Sequence, residues 1–217
     1  MADESPEPNG SNSENSAVEL LIVEDDPVLR LLIRNLLEGE GYSITEADNR
    51  LKAIELLKSN QNFAAVLLDL GLPPVEHSTM EGLAVLKMIQ DSLHPAKVVV
   101  LTGQDEEKSA LAAIRAGAFD FLSKPSKSED ILNAVNRALM FYQNERALAQ
   151  EGLTLLQINA KVGDGLKAVR EEAEEKLVKQ VLKDTNFNIY QSAAKLGLKR
   201  ESIYYFLKKF GIRRDDS

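Results

Sequence analysis

The chain has 217 residues, a net charge of −8, no cysteine and only two histidines, His77 and His94. That length suits one large domain or two small ones, and a hydrophobic content of 44% excludes wholesale disorder. The composition excludes disulfides, thiolate metal sites and cysteine nucleophiles, and it argues against histidine-rich metal sites and histidine-based triads. No apolar run approaches the ~20 residues of a membrane span, and residues 1–16 do not resemble a signal peptide, so we expect a cytoplasmic protein without membrane association.

The net charge conceals a division along the chain. Residues 1–184 contain 19 basic and 31 acidic residues, whereas residues 185–217 contain 7 basic and 3 acidic ones. An acidic main part followed by a basic end indicates two segments with different tasks.

A regular alternation of elements follows a polar start. Residues 1–16 have almost nothing apolar to bury and are predicted to be a disordered tail. Five short apolar runs then predict strands, at Val18–Val23, Tyr42–Ala47, Ala64–Leu68, Lys97–Leu101 and Phe119–Leu122. Segments with the apolar spacing of helices separate them, which predicts parallel βαβ units. We therefore expect an α/β fold with a doubly wound, five-stranded parallel sheet, in which ligands bind at the carboxyl ends of the strands.

The rest of the chain is predicted to be helical. Helical patterns cover residues 127–150 and 166–184, and two shorter ones follow at Gln191–Leu196 and Arg200–Phe210. Gly197 suits the left-handed position that ends the first short helix. We expect a sheet domain at 17–140, a helical linker at 141–165 and a small helical domain at 166–217.

Charged and hydroxyl side chains stand at the ends of the predicted strands. The acids Glu24–Asp26 follow the first strand and Asp69 follows the third, while Thr102 ends the fourth and Lys124 follows the fifth. Carboxylates at one sheet edge suit Mg²⁺, and a hydroxyl and an ammonium suit a phosphoryl group. An aspartate can also accept a phosphoryl group as a nucleophile. Each acid alone could be a helix cap, and Asp26, which precedes a proline, is predicted to be one.

The motifs LLIVEDD, VLLDLGLP, VVVLTG and FDFLSKP resemble the signatures of the receiver domain of two-component response regulators, over roughly residues 18–140. The resemblance implies a flavodoxin-like fold and a phosphoryl group accepted from a histidine kinase or phosphotransfer protein. It implies that Asp69 is the phosphoacceptor. It also implies that Glu24, Asp25, Asp69 and the carbonyl of Gly71 hold Mg²⁺, with Glu24 acting through water.

The same resemblance assigns the switch residues. It implies that Thr102 is the switch hydroxyl, that Phe121 is the aromatic ring that turns with it, and that Lys124 is the conserved lysine of the family, joined to Pro125 by a cis bond. One departure is the loop at residues 71–82, which is longer than the usual turn, and its histidine is expected to be exposed.

The basic end resembles a second family. The segment SAAKLGLKRESIYYFLKKFGI is similar to the Fis-type helix-turn-helix, over about residues 170–212. Charge alone would equally suit a small bundle with a solvated basic face. The resemblance implies contacts with double-stranded DNA. Its candidate residues are Lys199, Arg200, Ser202, Tyr204 and Tyr205, which would face the DNA, and Lys208 and Lys209, which would lie towards phosphates. Two departures are Asn188–Ile189 in place of a Gly-Asn pair and Lys199 in place of a small cap.

The combination predicts a phosphorylation-controlled transcription regulator that turns over no external substrate. Nitrogen-regulation activators carry an ATPase between the same two parts, but this chain has no GxxxxGK[ST] motif and too short a linker for one. The direct arrangement resembles the redox and photosynthesis response regulators of proteobacteria. Two alternatives stay open, namely a signalling adaptor whose helical tail binds protein and a phosphorelay intermediate.

A helix-turn-helix normally reads paired half-sites, so we expect a homodimer. The helices predicted at 127–150 and 166–184 are both candidate seams. The Fis resemblance favours 166–184.

Overall fold

A single parallel sheet forms the first part of the protein. The computed structural model describes residues 17–74, 78–103, 106–156, 158, 163 and 165–214, with the backbone alone at 106–108. The sheet contains β1 (Glu19–Val23), β2 (Ser43–Ala47), β3 (Ala65–Asp69), β4 (Lys97–Thr102) and β5 (Asp120–Ser123), in the order β2-β1-β3-β4-β5. The predicted disordered tail at 1–16 and His77 lie outside the described residues.

Helices cover both faces of this sheet. The described helices are α1 (Pro27–Gly39), α2 (Arg50–Ser59), α3 (Met80–Asp91), α4 (Glu106–Arg115), α5 (Ser128–Gln150), α6 (Gly165–Asp184), α7 (Ile189–Leu196) and α8 (Arg200–Phe210). Alternate strand residues such as Leu20 and Ile22 pack against α1 and α5, while their neighbours Leu21 and Val23 pack against α2, α3 and α4. Because both faces are covered, the central strands are apolar throughout. The predicted doubly wound, five-stranded fold is confirmed.

Local chemistry fixes where several elements begin and end. The Asp26 carboxylate caps α1 by accepting hydrogen bonds from the backbone N–H of Val28 at 2.8 Å and of Leu29 at 3.2 Å. Gly197 ends α7 with φ 64°, a left-handed conformation that favours glycine. Both predictions are confirmed. The predicted cis bond before Pro125 is also present, and Pro73–Pro74 is a second cis bond.

The last three helices pack around a small core of their own. Val178, Leu182, Ala193 and Ile203 are buried at its centre. A buried hydrogen bond of 2.6 Å between the hydroxyls of Thr185 and Ser192 ties α6 to α7. Within the described part of the chain, no helix combines the length and the apolar character needed to span a membrane.

Candidate functional site

Four charged side chains meet at the carboxyl edge of the sheet. Glu24 and Asp25 leave β1, Asp69 ends β3, and Lys124 follows β5. These strands are parallel and β1 lies beside β3, so their ends converge at one place. Glu24 is 1% exposed and Asp69 is 6% exposed, whereas Asp25 faces solvent.

Lys124 binds the two buried acids at once. Its ammonium lies 2.7 Å from Glu24 Oε2 and 2.8 Å from Asp69 Oδ2. Burial alone would lower the pKa of Lys124, but the hydrogen bonds and charges of Asp69 and Glu24 outweigh it and hold that pKa above its ordinary value. Lys124 therefore stays a fixed positive charge beside the Asp69 carboxylate.

Glu24 carries the strongest electrostatic perturbation in this cluster. Burial is the largest cause and raises its pKa to about 7, even though the hydrogen bond from Lys124 acts in the opposite direction. The negative charge of Asp69 raises it further. The cluster therefore has one carboxylate that is only partly ionised near neutral pH, and added positive charge would favour its ionised form.

The acidic cluster fits a divalent cation. Carboxylate oxygens of Glu24, Asp25 and Asp69 all lie within 4.8 Å of one another. With all three ionised, the single charge of Lys124 leaves a net −2, which one divalent ion would balance. Hard oxygen donors are the ligands that Mg²⁺ prefers. Gly71 lies at the same place, because its N–H donates to Asp69 Oδ1 at 3.0 Å.

An arginine that the sequence analysis did not identify orders the acidic turn. Arg30 Nη1 donates to the backbone carbonyl of Glu24 at 2.6 Å and to that of Asp25 at 3.3 Å. Arg30 also forms an ion pair of 3.3 Å with Glu46 on β2. In the sequence, only the position of a basic residue one turn into α1 could have indicated this role. The folded chain shows that the Arg30 side chain turns back to the end of β1.

The two predicted switch residues occupy different environments. Thr102 is buried at the end of β4, where its carbonyl accepts the N–H of Lys124 at 2.6 Å. Phe121 on β5 is 36% exposed and pairs in register with Val100. The structure therefore places the hydroxyl inside and the aromatic ring at the surface.

Most of the candidate DNA contacts lie on the exposed side of α8. Tyr204 and Tyr205 are each 60% exposed, whereas the residue before them, Ile203, is fully buried. The other exposed candidates are Lys199, Arg200, Lys208 and Lys209. Lys199 stands at the N-cap of α8 without a side-chain capping bond, as expected for a lysine in place of a small cap residue.

Ser202 differs from the other candidates in exposure, and Lys209 differs from them in its ion pairs. Ser202 is only partly exposed. The Lys209 ammonium lies 3.2 Å from Glu174 and 3.6 Å from Glu171, both on α6. Lys209 therefore joins α8 to α6 in this structure, a contact that the basic pattern of α8 did not reveal.

Two family models match the chain. The response regulator receiver domain matches residues 20–136, and the bacterial regulatory protein, Fis family, matches residues 169–210. Each match covers one of the two sites described above.

Individual relatives resemble the first part. A putative transcriptional regulator of Pseudomonas aeruginosa is 34% identical over 124 residues, which are 57% of this chain and 57% of that protein. The chemotaxis protein CheY of Bacillus subtilis is 30% identical over 121 residues, which are 55% of this chain and 96% of CheY.

Solved structures share the same fold. The receiver domain of a putative LuxO repressor from Vibrio parahaemolyticus has a TM-score of 0.55 at 26% identity, and the match covers 61% of this chain and 97% of that one. Several curated relatives are matched over only part of their length, such as 25% of a putative NtrX-like response regulator of Rickettsia bellii. The chain belongs to the response regulator receiver family and ends in a segment of the Fis family of bacterial regulatory proteins.

Proposed function

We propose that the protein is a two-component response regulator that accepts a phosphoryl group on Asp69 and thereby controls transcription through its C-terminal helices. One observation carries this proposal: the Lys124 ammonium bridges Asp69 and Glu24 beside a cluster suited to a divalent cation. The donor is a histidine kinase or phosphotransfer protein, and the target is double-stranded DNA. The chain modifies only itself and turns over no external substrate.

The phosphoryl transfer uses the cluster as it stands. An Asp69 carboxylate oxygen attacks the phosphorus of a phosphohistidine, the phosphorus–nitrogen bond breaks, and the imidazole leaves. Lys124 already lies 2.8 Å from Asp69 Oδ2 and holds its positive charge against the transferred group. Glu24, Asp25, Asp69 and the Gly71 carbonyl would hold Mg²⁺, which when bound supplies further charge neutralisation.

The switch follows from the added charge. A phosphoryl group brings about −1.5 to −2 of charge and three acceptor oxygens to Asp69. The buried Thr102 hydroxyl is available to donate to it, and Phe121 then turns inward from its present surface position. Such a change needs only a few kcal/mol of differential contact between two pre-existing states.

Labelling with a small phosphodonor tests the first half of the proposal. The wild-type chain, incubated with radiolabelled acetyl phosphate and Mg²⁺, should gain label that Asp69→Asn abolishes. Asp48→Asn is the matched control, because Asp48 follows β2 at the same sheet edge, is exposed, and stands outside the acidic cluster. Equal labelling of Asp69→Asn and wild type would refute the assignment.

The DNA contacts form the second half. We propose Lys199, Arg200, Ser202, Tyr204, Tyr205, Lys208 and Lys209 as the DNA-binding residues. Lys199, Arg200 and Lys208 combine exposure with positive charge, and Tyr204 and Tyr205 lie exposed between them. This fits a helix that enters the major groove with cations beside the phosphates.

A duplex titration at two salt concentrations tests these contacts. Three phosphate contacts on each α8 make six in the proposed dimer, which predicts an affinity loss of about 2000-fold when salt rises from about 50 to about 200 mM. Arg200→Ala should make the slope of log affinity against log salt shallower by about 1 for each α8 that binds, and the exposed Lys58 on α2 provides a control, Lys58→Ala. Absence of salt-dependent binding would favour an adaptor or a phosphorelay intermediate instead.

We also propose a homodimer formed through α6, with a receiver domain at 17–140 and a DNA-binding domain at 166–217. Leu166 and Leu177 are exposed on α6, at 90% and 37%, and Val169 is partly exposed, which supports an apolar seam there. Light scattering should show a dimer at high concentration when a phosphoryl mimic is present. A monomer under those conditions would refute the seam.

A further inference from the structure

One lysine of the helical segment binds the sheet domain. The ammonium of Lys183, near the end of α6, donates to the carbonyl of Leu93 at 2.7 Å, the carbonyl of Ser92 at 2.9 Å and Gln61 Oε1 at 3.1 Å. An ammonium has three N–H donors, so these three acceptors satisfy it completely.

The acceptors form a site that suits a cation. Ser92 and Leu93 directly follow α3, and the carboxyl end of a helix carries partial negative charge. Their own N–H groups bond back into α3, to the carbonyls of Met88 and Gln90. Burial lowers the pKa of Lys183, as expected for an ammonium withdrawn from water.

The neighbouring residues hold this site in shape. The Gln61 side chain is oriented from both ends, because its Nε2 donates to the Leu57 carbonyl at 3.0 Å while its Oε1 accepts from Lys183. Buried His94 bridges the adjoining backbone, with Nε2 at 3.1 Å from the Asn60 carbonyl and Nδ1 accepting from Ala96. The acceptors are therefore positioned by the sheet domain itself.

The opposite end of α3 touches the phosphoacceptor strand. A Cβ placed on Gly82, in the first turn of α3, would lie 2.4 Å from the Leu70 Cα and 2.7 Å from the Asp69 carbonyl oxygen. Helix and strand backbones are thus in direct contact at this point. The 12 residues of α3 span about 18 Å, so one rigid element runs from Asp69 to the acceptors of Lys183.

We propose that Lys183 docks the DNA-binding domain on the carboxyl end of α3, and that α3 transmits the phosphorylation state of Asp69 to that domain. The inference rests on the proposed function for its biological meaning. Docking leaves the DNA-facing side of α8 accessible, since Tyr204 and Tyr205 stay 60% exposed. The contact therefore sets the position of α8 relative to the receiver and does not cover it.

A distance measurement tests the docking. The chain has no cysteine, so Glu55→Cys on α2 and Gln191→Cys on α7, both exposed, direct spin labels to one site in each domain of the full chain. Pulsed electron paramagnetic resonance on labelled chains diluted with an excess of unlabelled chain, so that only distances within one chain are measured, should give one narrow distance. Lys183→Ala should raise the undocked-to-docked ratio at least about tenfold, because charge-assisted hydrogen bonds are lost.

Lys179→Ala is the matched control. Lys179 lies one turn earlier on α6 and pairs with Glu175 at 2.6 Å, so its removal deletes the same charge from the same helix. The control should keep the narrow distance, and circular dichroism should show equal helix content in both variants. A broad distance in the parent chain, or one that Lys183→Ala leaves unchanged, would overturn the docking.

Adding beryllofluoride and Mg²⁺ as a phosphoryl mimic tests the transmission. The distance should shift in the parent chain and not in Lys183→Ala, whereas no shift in the parent chain would overturn transmission through α3. The duplex titration is independent of these distances. A Lys183-dependent distance in a chain that fails to bind DNA would contradict the proposed function and leave the docking intact.

Discussion

Replacing the buried glutamate of the acidic cluster should change how stability depends on pH. Burial raises the pKa of Glu24 to about 7 from an ordinary value of 4.5. The difference corresponds to about 3 kcal/mol against the ionised carboxylate in the folded state. Between pH 4.5 and 7 the folded chain binds more protons than the unfolded chain, so the free energy of unfolding falls as pH rises through that window.

The variant Glu24→Gln has no carboxylate to ionise and should escape that loss. In urea denaturation with a chelator present, the free energy of unfolding of Glu24→Gln should equal that of wild type near about pH 4.5. It should exceed the wild-type value by up to about 3 kcal/mol near about pH 8. Glu55→Gln, at an exposed position on α2, provides the control and should show no such trend. A difference between Glu24→Gln and wild type that does not grow with pH would refute the reasoning.

The same pair of proteins reports on the metal. At about pH 8, Mg²⁺ should stabilise wild type more than Glu24→Gln, because the ion binds the ionised cluster of the folded chain alone. Equal stabilisation of both proteins would show that Glu24 takes no part in holding the ion.

Three further predictions concern packing and pH. Gly82→Ala should destabilise the chain by about 1–3 kcal/mol in urea denaturation, because its Cβ would meet backbone at 2.4 Å. The control Gly39→Ala, which has open space around it, should be neutral or slightly stabilising. Equal effects of the two substitutions would contradict the close contact. Burial lowers the pKa of His94, so the unfolded chain binds more protons than the folded chain below about pH 6.5, and the free energy of unfolding should fall on acidification. His94→Gln should flatten this pH dependence in thermal melts. An unchanged pH profile would exclude His94 as its source. Ile203→Ala should destabilise the helical domain by about 2–4 kcal/mol, and amide hydrogen exchange should become faster in α6–α8 alone. The control Tyr204→Ala, at an exposed position, should change amide exchange little. Equal exchange in both variants would contradict the packing.

Local patterns predicted most of the architecture. Apolar runs separated by helical spacing gave the five strands, and the predicted ranges agree with the observed ones to within a residue or so at each end. Asp26 and Gly197 were predictable because a helix cap depends on its immediate neighbours and on φ alone. The resemblance to the two families was likewise visible in the sequence, because each is carried by short motifs of neighbouring residues.

Long-range contacts were beyond the reach of such patterns. Lys124 and Glu24 are 100 residues apart, and Lys183 and Ser92 are 91 apart. For the first pairing, the strand pattern predicted a shared sheet edge, and the family resemblance added the roles of the two residues. The pairing of Lys183 with Ser92 could not be predicted from any motif, since a lysine near the end of a charged helix is expected to face solvent.

The sequence by itself determined the sheet with its helices, the placement of acids at strand ends, and a basic final helix, because periodicity and composition are properties of neighbouring residues. The tertiary structure alone decided which of these charges meet. It placed Lys209 beside Glu171 and Glu174, and it joined Lys183 to the end of α3. Whether a cation faces solvent, DNA or its own chain depends on how separate helices pack, and that packing is fixed only when the whole chain has folded.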